Sequence, residues 1–525
     1  MSGRLEKSKP LFLLFCSAIL FALSFPSFIS DKGFPIFGYV ALTPMFMAIR
    51  HIRFKTAPLW GFLYGLVSYA LFNYWLGIFY PPAIVIIPAL YAVYYFLLFP
   101  ALKLADKAFP RWGFLVQSII WIGYEYLRTK GFLGYPYGIL GYTQYSVPLV
   151  ARLAALTGVW GVSALLVLPS ALLANVLQDG IKMHIKVSAI AYAGVFVLVL
   201  VYSFVTGCDY SGCPVKKAAL IQQNIDPWQG GDATYREALR RLTKMSTQAQ
   251  NDKYGPPDIV VWSETSFVPS IDWHTRYRTD PEYYKMVKEL RAYMDQQSIP
   301  FVLGNNEGVL GFDEETKQQV RQDHNSALLF EKGEITKVYR KIHLVPFTEH
   351  FPYKKQLPFI YNFLVDWDTH FWIPGTEYTV FDAAGFKFST PICFEDSFGD
   401  LSRAFVQNGA QVIMNLSNDG WAYSVPAEMQ HMAMATFRAY ENRRTVVRST
   451  NSGITCVIDP SGRRIAEIEP FIEGYLIADV PVYDDTTTLY TRWGDWFGVL
   501  CAIAAALLLA WGLLLTTGLK YKKIK

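Results

Sequence analysis

Two hydrophobic regimes divide the chain. Up to about residue 205 it is mostly apolar, punctuated by Pro, Gly and aromatic residues; residues 216–485 mix apolar and polar positions, and 496–514 is apolar again. A helix needs roughly 20 mostly apolar residues to cross a bilayer. Runs of this kind fall at about 11–29, 34–49, 57–79, 82–102, 112–127, 156–177, 187–205 and 496–516. The pattern predicts a multi-pass helical bundle of about eight spans, seven before the mixed region and one after it. The first run follows Lys7 and Lys9 in the manner of a signal peptide. Its length, and the second run close behind it, predict a retained span.

Between residues 217 and 480 short β-rich runs alternate with amphipathic stretches. Strands are expected at 218–222, 259–262, 301–304, 326–330, 337–342, 378–381, 386–393, 412–416, 445–449 and 455–458, and helices at 233–251, 282–297 and 429–443. The 3.6-residue spacing of the helical stretches and the β–α–β start predict an α/β sheet packed on helices. The expected domains are therefore 1–207 (spans 1–7), 208–490 (an extramembrane catalytic domain) and 491–525 (the last span and a basic tail). Several expected strands end at polar residues: Gln222, Glu264, Asn305, Cys393 and Asn415. Ligands of open α/β sheets bind at the carboxyl ends of strands.

Composition sharpens the picture. Hydrophobic residues make up 52% of the chain and charged ones 17%, too apolar for an ordinary soluble protein. Alternating the spans gathers fifteen Lys and Arg on one side: Arg4, Lys7, Lys9, Arg50, Arg53, Lys55, Lys103, Lys107, Arg111, Lys182, Lys186, Lys520, Lys522, Lys523 and Lys525. The opposite short loops hold three, Lys32, Arg128 and Lys130. The positive-inside bias then predicts cytoplasmic termini and an extracytoplasmic 206–495. These flanks account for most of the net charge of +5, which gives no sign of a nucleic-acid partner. The eight histidines show no metal-ligand spacing, so neither a metal nor another cofactor is expected. Cys16 and Cys501 fall in spans, Cys456 in a β-like run, and Cys208 and Cys213 bracket a short loop where pairing stays open.

That leaves Cys393, which closes the run FKFSTPIC and precedes Phe394, Glu395 and Asp396. Taken alone, a cysteine ending an apolar strand reads as a packed core residue. Its company changes that. Glu264 closes DIVVWSE and Lys341 closes VYRK. A thiol, a carboxylate and an ammonium, each delivered by its own strand, are the parts of acyl transfer through a thioester. Singly, Glu264, Lys341 and the loop acid Glu349 would read as surface charges.

The segments VVWSET, YRKIHLVPFTEHFPY and PICFED resemble the nitrilase superfamily of carbon–nitrogen hydrolases. EYLRTKGFLGYPYGILGYTQ, LTGVWGVSALL, QHMAMATFRAYENR, NSGITCVIDPSG and YTRWGDWF are similar to its membrane-embedded branch, the apolipoprotein N-acyltransferase family. The resemblance implies an α-β-β-α sandwich and a Glu264–Lys341–Cys393 triad, with Glu349 and Glu395 in support. It implies acyl transfer from a phospholipid to a diacylated apolipoprotein at the outer face of the bacterial cytoplasmic membrane. Expected substrate-binding residues are Phe394, Trp421, Tyr135 and Tyr137, with Tyr142 and Tyr145 also in the aromatic loop between spans 5 and 6. Phe394 stands where the family carries tyrosine, Thr348 where it carries glycine, and His350 where it carries an apolar or aromatic residue. A membrane-tethered amidase and a non-catalytic scaffold are the competing readings.

Overall fold

The computed structural model describes residues 2–79, 81, 83–313, 317–366 and 369–524. Lys525, the side chains of Arg4, Lys7, Lys520, Lys522 and Lys523, and the expected span start at Pro82 lie outside the described residues. The chain divides into two units: Met1–Cys208, Ser424–Glu441 and Thr488–Lys525 form one, and Asp209–Tyr423 and Asn442–Thr487 the other.

The first unit is helical. Among the described residues, four of its helices are long and apolar enough to cross a membrane: Ala83–Ala108, Val159–Asp179, Met183–Val205 and Trp496–Gly518, with mean hydropathies of 2.1, 1.8, 2.2 and 2.5. Met183–Val205 exposes Ile190, Leu198 and Phe204, as a helix apolar on all sides does when lipid is its solvent. The first expected span falls on the helix Ser2–Ser24, whose apolar part is Ser8–Ser24, and the remaining three are shorter. Residues 34–49 form a 3₁₀ turn, Pro35–Tyr39, and a nine-residue helix, Thr43–His51. At ~1.5 Å per residue that helix alone is less than half of a ~30 Å hydrocarbon core. Ala57–Phe72 has 16 residues and Gly113–Leu127 has 15. Gly61 and Gly65 let Ala57–Phe72 press against Ala83–Ala108: a Cβ on Gly61 would stand 2.1 Å from the Tyr95 carbonyl oxygen. Small residues four apart are what close packing between membrane helices requires.

One helix of this unit is unexpected. Val425–Asn442, placed by the sequence in the catalytic domain, groups up to Glu441 with the helical unit, as do residues 488–490. Gln430 donates to the Pro26 and Phe72 carbonyls at 2.8 and 3.1 Å and accepts from Trp75 at 3.1 Å. Arg438 donates to the Tyr142 hydroxyl at 3.1 Å, and Tyr440 to the Tyr145 carbonyl at 3.1 Å.

The second unit is built from strands β1 (Val215–Gln222), β2 (Ile259–Trp262), β3 (Phe301–Asp313), β4 (Gln318–Glu331), β5 (Glu334–Arg340), β6 (Val380–Ala383), β7 (Phe386–Ser389), β8 (Val412–Ser417), β9 (Thr445–Thr450), β10 (Cys456–Ile458), β11 (Arg464–Glu467) and β12 (Gly474–Pro481). They make two six-stranded sheets, ordered β12-β1-β2-β3-β4-β5 and β11-β10-β9-β8-β7-β6. The strands β1, β2 and β3 run parallel. The helices Asp232–Gln250 and Pro281–Met294 supply the crossovers that parallel pairing needs.

Burial on both faces explains why these strands read as continuous apolar runs. Ala218, Leu220, Ile259 and Val261 join Phe388, Met414 and Val447 of the second sheet in a core between the sheets. Their alternating neighbours Ala219, Ile221, Val260 and Trp262 pack under the two crossover helices with Leu242, Val287 and Leu290. This is the α/β arrangement, sheet packed on helices, that the sequence led one to expect. Strands β11 and β12 escaped the sequence pattern, and β3 and β4 run well past the expected ends at 304 and 326.

Candidate active site

Glu264 lies two residues beyond β2, and Lys341 directly follows β5. Both are buried, at 6% and 1% exposure. Nζ of Lys341 is 3.3 Å from Glu264 Oε1 and 2.9 Å from Glu349 Oε1. The second oxygen of Glu349 accepts the Val345 N–H at 2.7 Å, which curls its loop around the carboxylate. Burial alone would lower the Lys341 pKa, yet Glu349 and Glu264 together hold it well above its ordinary value. Burial raises the Glu264 pKa; Lys341 pulls it back and Glu349 pushes it up again.

Cys393 does not end its strand. β7 stops at Ser389, because Pro391 has no N–H to offer a sheet partner. The chain makes an isolated bridge at Ile392 to Leu416 and then turns into the 3₁₀ segment Cys393–Ser397. Cys393 sits at its start with φ +50°, a left-handed conformation that costs free energy in a non-glycine residue and that clusters at functional sites. Asn415 Nδ2 donates to the carbonyls of Pro391 and Cys393, both at 3.2 Å. The residue keeps part of its surface open. Its surroundings still desolvate the sulfur, and burial followed by the Glu264 charge raises the thiol pKa well above the ordinary value, with Lys341 opposing.

Glu395 joins the cysteine and lysine segments. Its Oε1 accepts the Ile342 and His343 N–H groups at 2.7 and 2.9 Å, and its Oε2 accepts the Ile392 N–H at 2.7 Å. The Tyr339 hydroxyl reaches both oxygens at 2.8 and 2.9 Å. One buried carboxylate thus clips residues flanking Lys341 to the residue before Cys393. Burial raises its pKa to about 7, against those hydrogen bonds.

The loop after Lys341 returns to its own start. Gly375 N–H donates to the Lys341 carbonyl at 2.7 Å, Trp372 N–H to that of Glu349 at 2.8 Å, and Ile373 N–H to that of Asp323 at 2.9 Å. A Cβ on Gly375 would stand 2.2 Å from the Arg340 carbonyl oxygen, so only glycine fits. Between these anchors the helix Pro358–Asp366 has no buried residue and exposes Phe359 and Phe363.

Of the expected substrate-binding residues, Phe394 packs edge-on to Phe398 at 4.9 Å. Trp421 is exposed and meets Trp228 edge-on at 5.1 Å. Tyr135 and Tyr137 belong to the helical unit, where their rings stack at 5.0 Å and Arg128 donates to both carbonyls. Tyr142 and Tyr145, expected at the membrane interface, are buried. Asn305 and Gln222 serve structure: Asn305 holds the Phe267 and Pro269 carbonyls, and Gln222 those of Glu469 and Ile472. Sequence reasoning missed Asn325, Tyr339 and the buried Arg448, which pairs with Asp396 and Asp419. Asn325 follows Arg321, Gln322, Asp323 and His324, so the polar half of β4 gave no signal that set it apart.

Residues 217–486 match the family model described as carbon-nitrogen hydrolase. A thiol beside an ammonium and carboxylates, carried on paired β-sheets, is in keeping with that class. Residues 17–172 match the model of the apolipoprotein N-acyltransferase N-terminal domain. Apolipoprotein N-acyltransferase 1 of Treponema denticola is 42% identical over 520 residues, and that of Treponema pallidum 41% over 523, each match covering 95% of both chains. Among solved structures, an amidase from Nesterenkonia is 20% identical with a TM-score of 0.36, covering 51% of this chain and 90% of that one. The chain belongs to the apolipoprotein N-acyltransferase family and is an acyltransferase.

Proposed function

We propose that the chain carries an acyl group from a membrane glycerophospholipid to the N-terminal α-amine of a diacylglyceryl-cysteine apolipoprotein, through a thioester on Cys393. The observation that carries this reading is the placement of Lys341 between Glu264 and Glu349 in the unit that holds the partly open Cys393. Because burial and Glu264 keep the thiol protonated, the base has to act as the sulfur attacks. Glu264 takes the proton and the sulfur adds to the ester carbonyl. The ammonium of Lys341 stabilises the oxyanion. Glu264 then returns the proton to the departing lysophospholipid oxygen. In the second half it accepts a proton from the incoming α-amine, and the amide product leaves with the thiol restored. One nucleophile serving two substrates in turn makes the kinetics ping-pong.

In this reading Glu349 orients Lys341, Glu395 holds the lysine and cysteine segments together, and Phe394, Trp421, Tyr135 and Tyr137 contact substrate. No cofactor takes part. Both substrates are lipid-anchored, which the apolar helices and the exposed Phe359 and Phe363 suit. We further propose eight crossings, with turn Pro35–Tyr39 and helix Thr43–His51 in tandem as the second. Both termini are cytoplasmic, and the catalytic unit faces the periplasm from the cytoplasmic membrane.

The test is to incubate the purified chain with phospholipid in mixed micelles and weigh it. A hydroxylamine-sensitive acyl adduct on Cys393, lost in Cys393→Ala along with N-acylation of an apolipoprotein, is expected. An adduct on Cys456 or Cys208 instead would overturn the assignment.

A further inference from the structure

Two carboxylates share a single ammonium, and all three groups act electrostatically on Cys393. Glu264 Oε1 and Glu349 Oε1 both approach Lys341 Nζ, at 3.3 and 2.9 Å. The same two oxygens approach a second donor. Nδ2 of Asn325 is 2.8 Å from Glu264 Oε1 and 3.5 Å from Glu349 Oε1. Asn325 is itself buried, at 3% exposure, inside β4 with strands hydrogen-bonded on both sides. Its backbone carbonyl accepts the Lys341 N–H at 2.8 Å. Asn325 therefore grips the lysine through its main chain and both acids through its side chain.

One ammonium cannot balance two carboxylates drawn away from bulk water, Glu264 buried and Glu349 half-buried. Desolvation penalises the charged form of each, and the shortfall is met either by taking up a proton or by a further hydrogen-bond donor. A neutral amide is a donor that adds no charge and cannot lose its proton. We propose that Asn325 is a positioning residue for acyl transfer, its side-chain amide keeping Glu264 ionised beside Lys341 and Glu349 so that it can serve Cys393 as base. The proposal rests on the assignment of Glu264 as that base. With Oε1 held by Asn325 and Lys341, Oε2 is the oxygen left to meet the thiol.

The charged and titratable groups facing Glu264 are Lys341 after β5, Glu349 from the loop beyond it, and Cys393 beyond β7; Asp419, after β8, acts on the thiol. Burial raises the Glu264 pKa, and the hydrogen bond from Asn325 works against that rise. Cys393 and Lys341 both titrate above their ordinary values and set no acidic limb; a limb set by Glu264 is told from one set by Glu395, raised to about 7, because the former moves when Asn325 is replaced.

The experiment measures single-turnover acylation of the full chain against pH, with a diacylglycerophospholipid in mixed micelles and the adduct counted by mass. In Asn325→Leu and Asn325→Ala the acidic limb is expected to move up by about one pH unit, the worth of a hydrogen bond to a charged group. Acylation then falls roughly tenfold below the limb and little well above it. A uniform loss at every pH with the limb in place would overturn the proposal. So would unfolding of Asn325→Ala, which adds no bulk and would mark the residue as structural only. Failure of the underlying reading has a different signature: the unsubstituted chain forms no adduct on Cys393, or its acylation has no acidic limb.

Discussion

Lys341 is paired more closely with Glu349 than with Glu264, at 2.9 Å against 3.3 Å. The acid proposed as base is thus the looser partner, and the loop acid is the one that anchors the cation. Glu349→Gln should cut acylation of Cys393 about 10²-fold, the cost of misplacing Lys341, the proposed oxyanion donor. Because burial alone lowers the Lys341 pKa and Glu349 is the first group opposing it, the basic limb of the rate should also move to lower pH. Single-turnover acylation across pH checks both, and an unchanged rate would remove Glu349 from the site.

Lys341→Arg should fail to restore what Lys341→Ala loses. A planar guanidinium cannot replace a compact ammonium in the space between two carboxylates. Adduct formation measured by mass is the readout, and near-normal acylation by either variant would take Lys341 out of the mechanism.

Glu395 makes stability depend on pH. Its pKa is raised from 4.5 to about 7, so the folded chain binds this proton more tightly than the unfolded chain does. Stability from this group is full below about 4.5 and is lost as pH rises to about 7. The unfolding temperature of the unsubstituted chain in detergent should carry a falling component over that window, which Glu395→Gln removes. The variant should also be less stable throughout, because its amide turns a donor toward N–H groups that need an acceptor, at about 1–3 kcal/mol for each one left unsatisfied. A pH slope identical in the two proteins would contradict the assignment.

Gly375→Ala tests whether the returning loop positions the lysine. The added methyl collides with the Arg340 carbonyl oxygen and forces the strap off the Lys341 main chain. Acylation should drop at least tenfold, in line with the ~10²-fold cost of an ångström-scale misplacement. The unfolding temperature should change little, since the strap lies outside both apolar cores. Equal loss of stability and activity would make Gly375 a folding residue.

Topology is open to direct labelling. A cysteine replacing the exposed Lys253 should react with a membrane-impermeant thiol reagent in cells whose outer barrier is opened, and one replacing Lys55 only after lysis. The reverse pattern would put the catalytic unit in the cytoplasm and defeat the proposed transfer.

The candidate site was legible because the proposed nucleophile and acid each follow an apolar run and the proposed cation a strand, and strands such as Ile259–Trp262 were recoverable to the residue. Other features were hidden for physical reasons. Pro391 stops β7 before Cys393, yet FKFSTPIC keeps its apolar texture through the break. Apolar residues also run unbroken across the turn at Pro35–Tyr39, so a hydropathy window merges two short helical pieces into one span. Val425–Asn442 carries Gln430, Arg438 and Glu441, polar enough to read as a soluble helix, but Gln430 and Arg438 bind partners in the helical unit. Asn325 is one of several polar residues in the first half of β4, and its role becomes visible only when Glu264, Lys341 and Glu349 converge on it.

The helical unit is assembled from three separate stretches of chain, and Gln430 completes hydrogen bonds to residues synthesised some 400 positions earlier. Folding during synthesis is consequently out of step with the order of the sequence. The apolar segments that precede the α/β unit have to wait, with the backbone carbonyls of Pro26 and Phe72 lacking this donor, while residues 209–423 of that unit are made. Contacts this distant form late and leave apolar surface exposed in the interval. Cutting the chain at either end of the catalytic unit would strip the bundle of a helix as well as a domain, so this enzyme should resist the excision that tethered soluble domains tolerate.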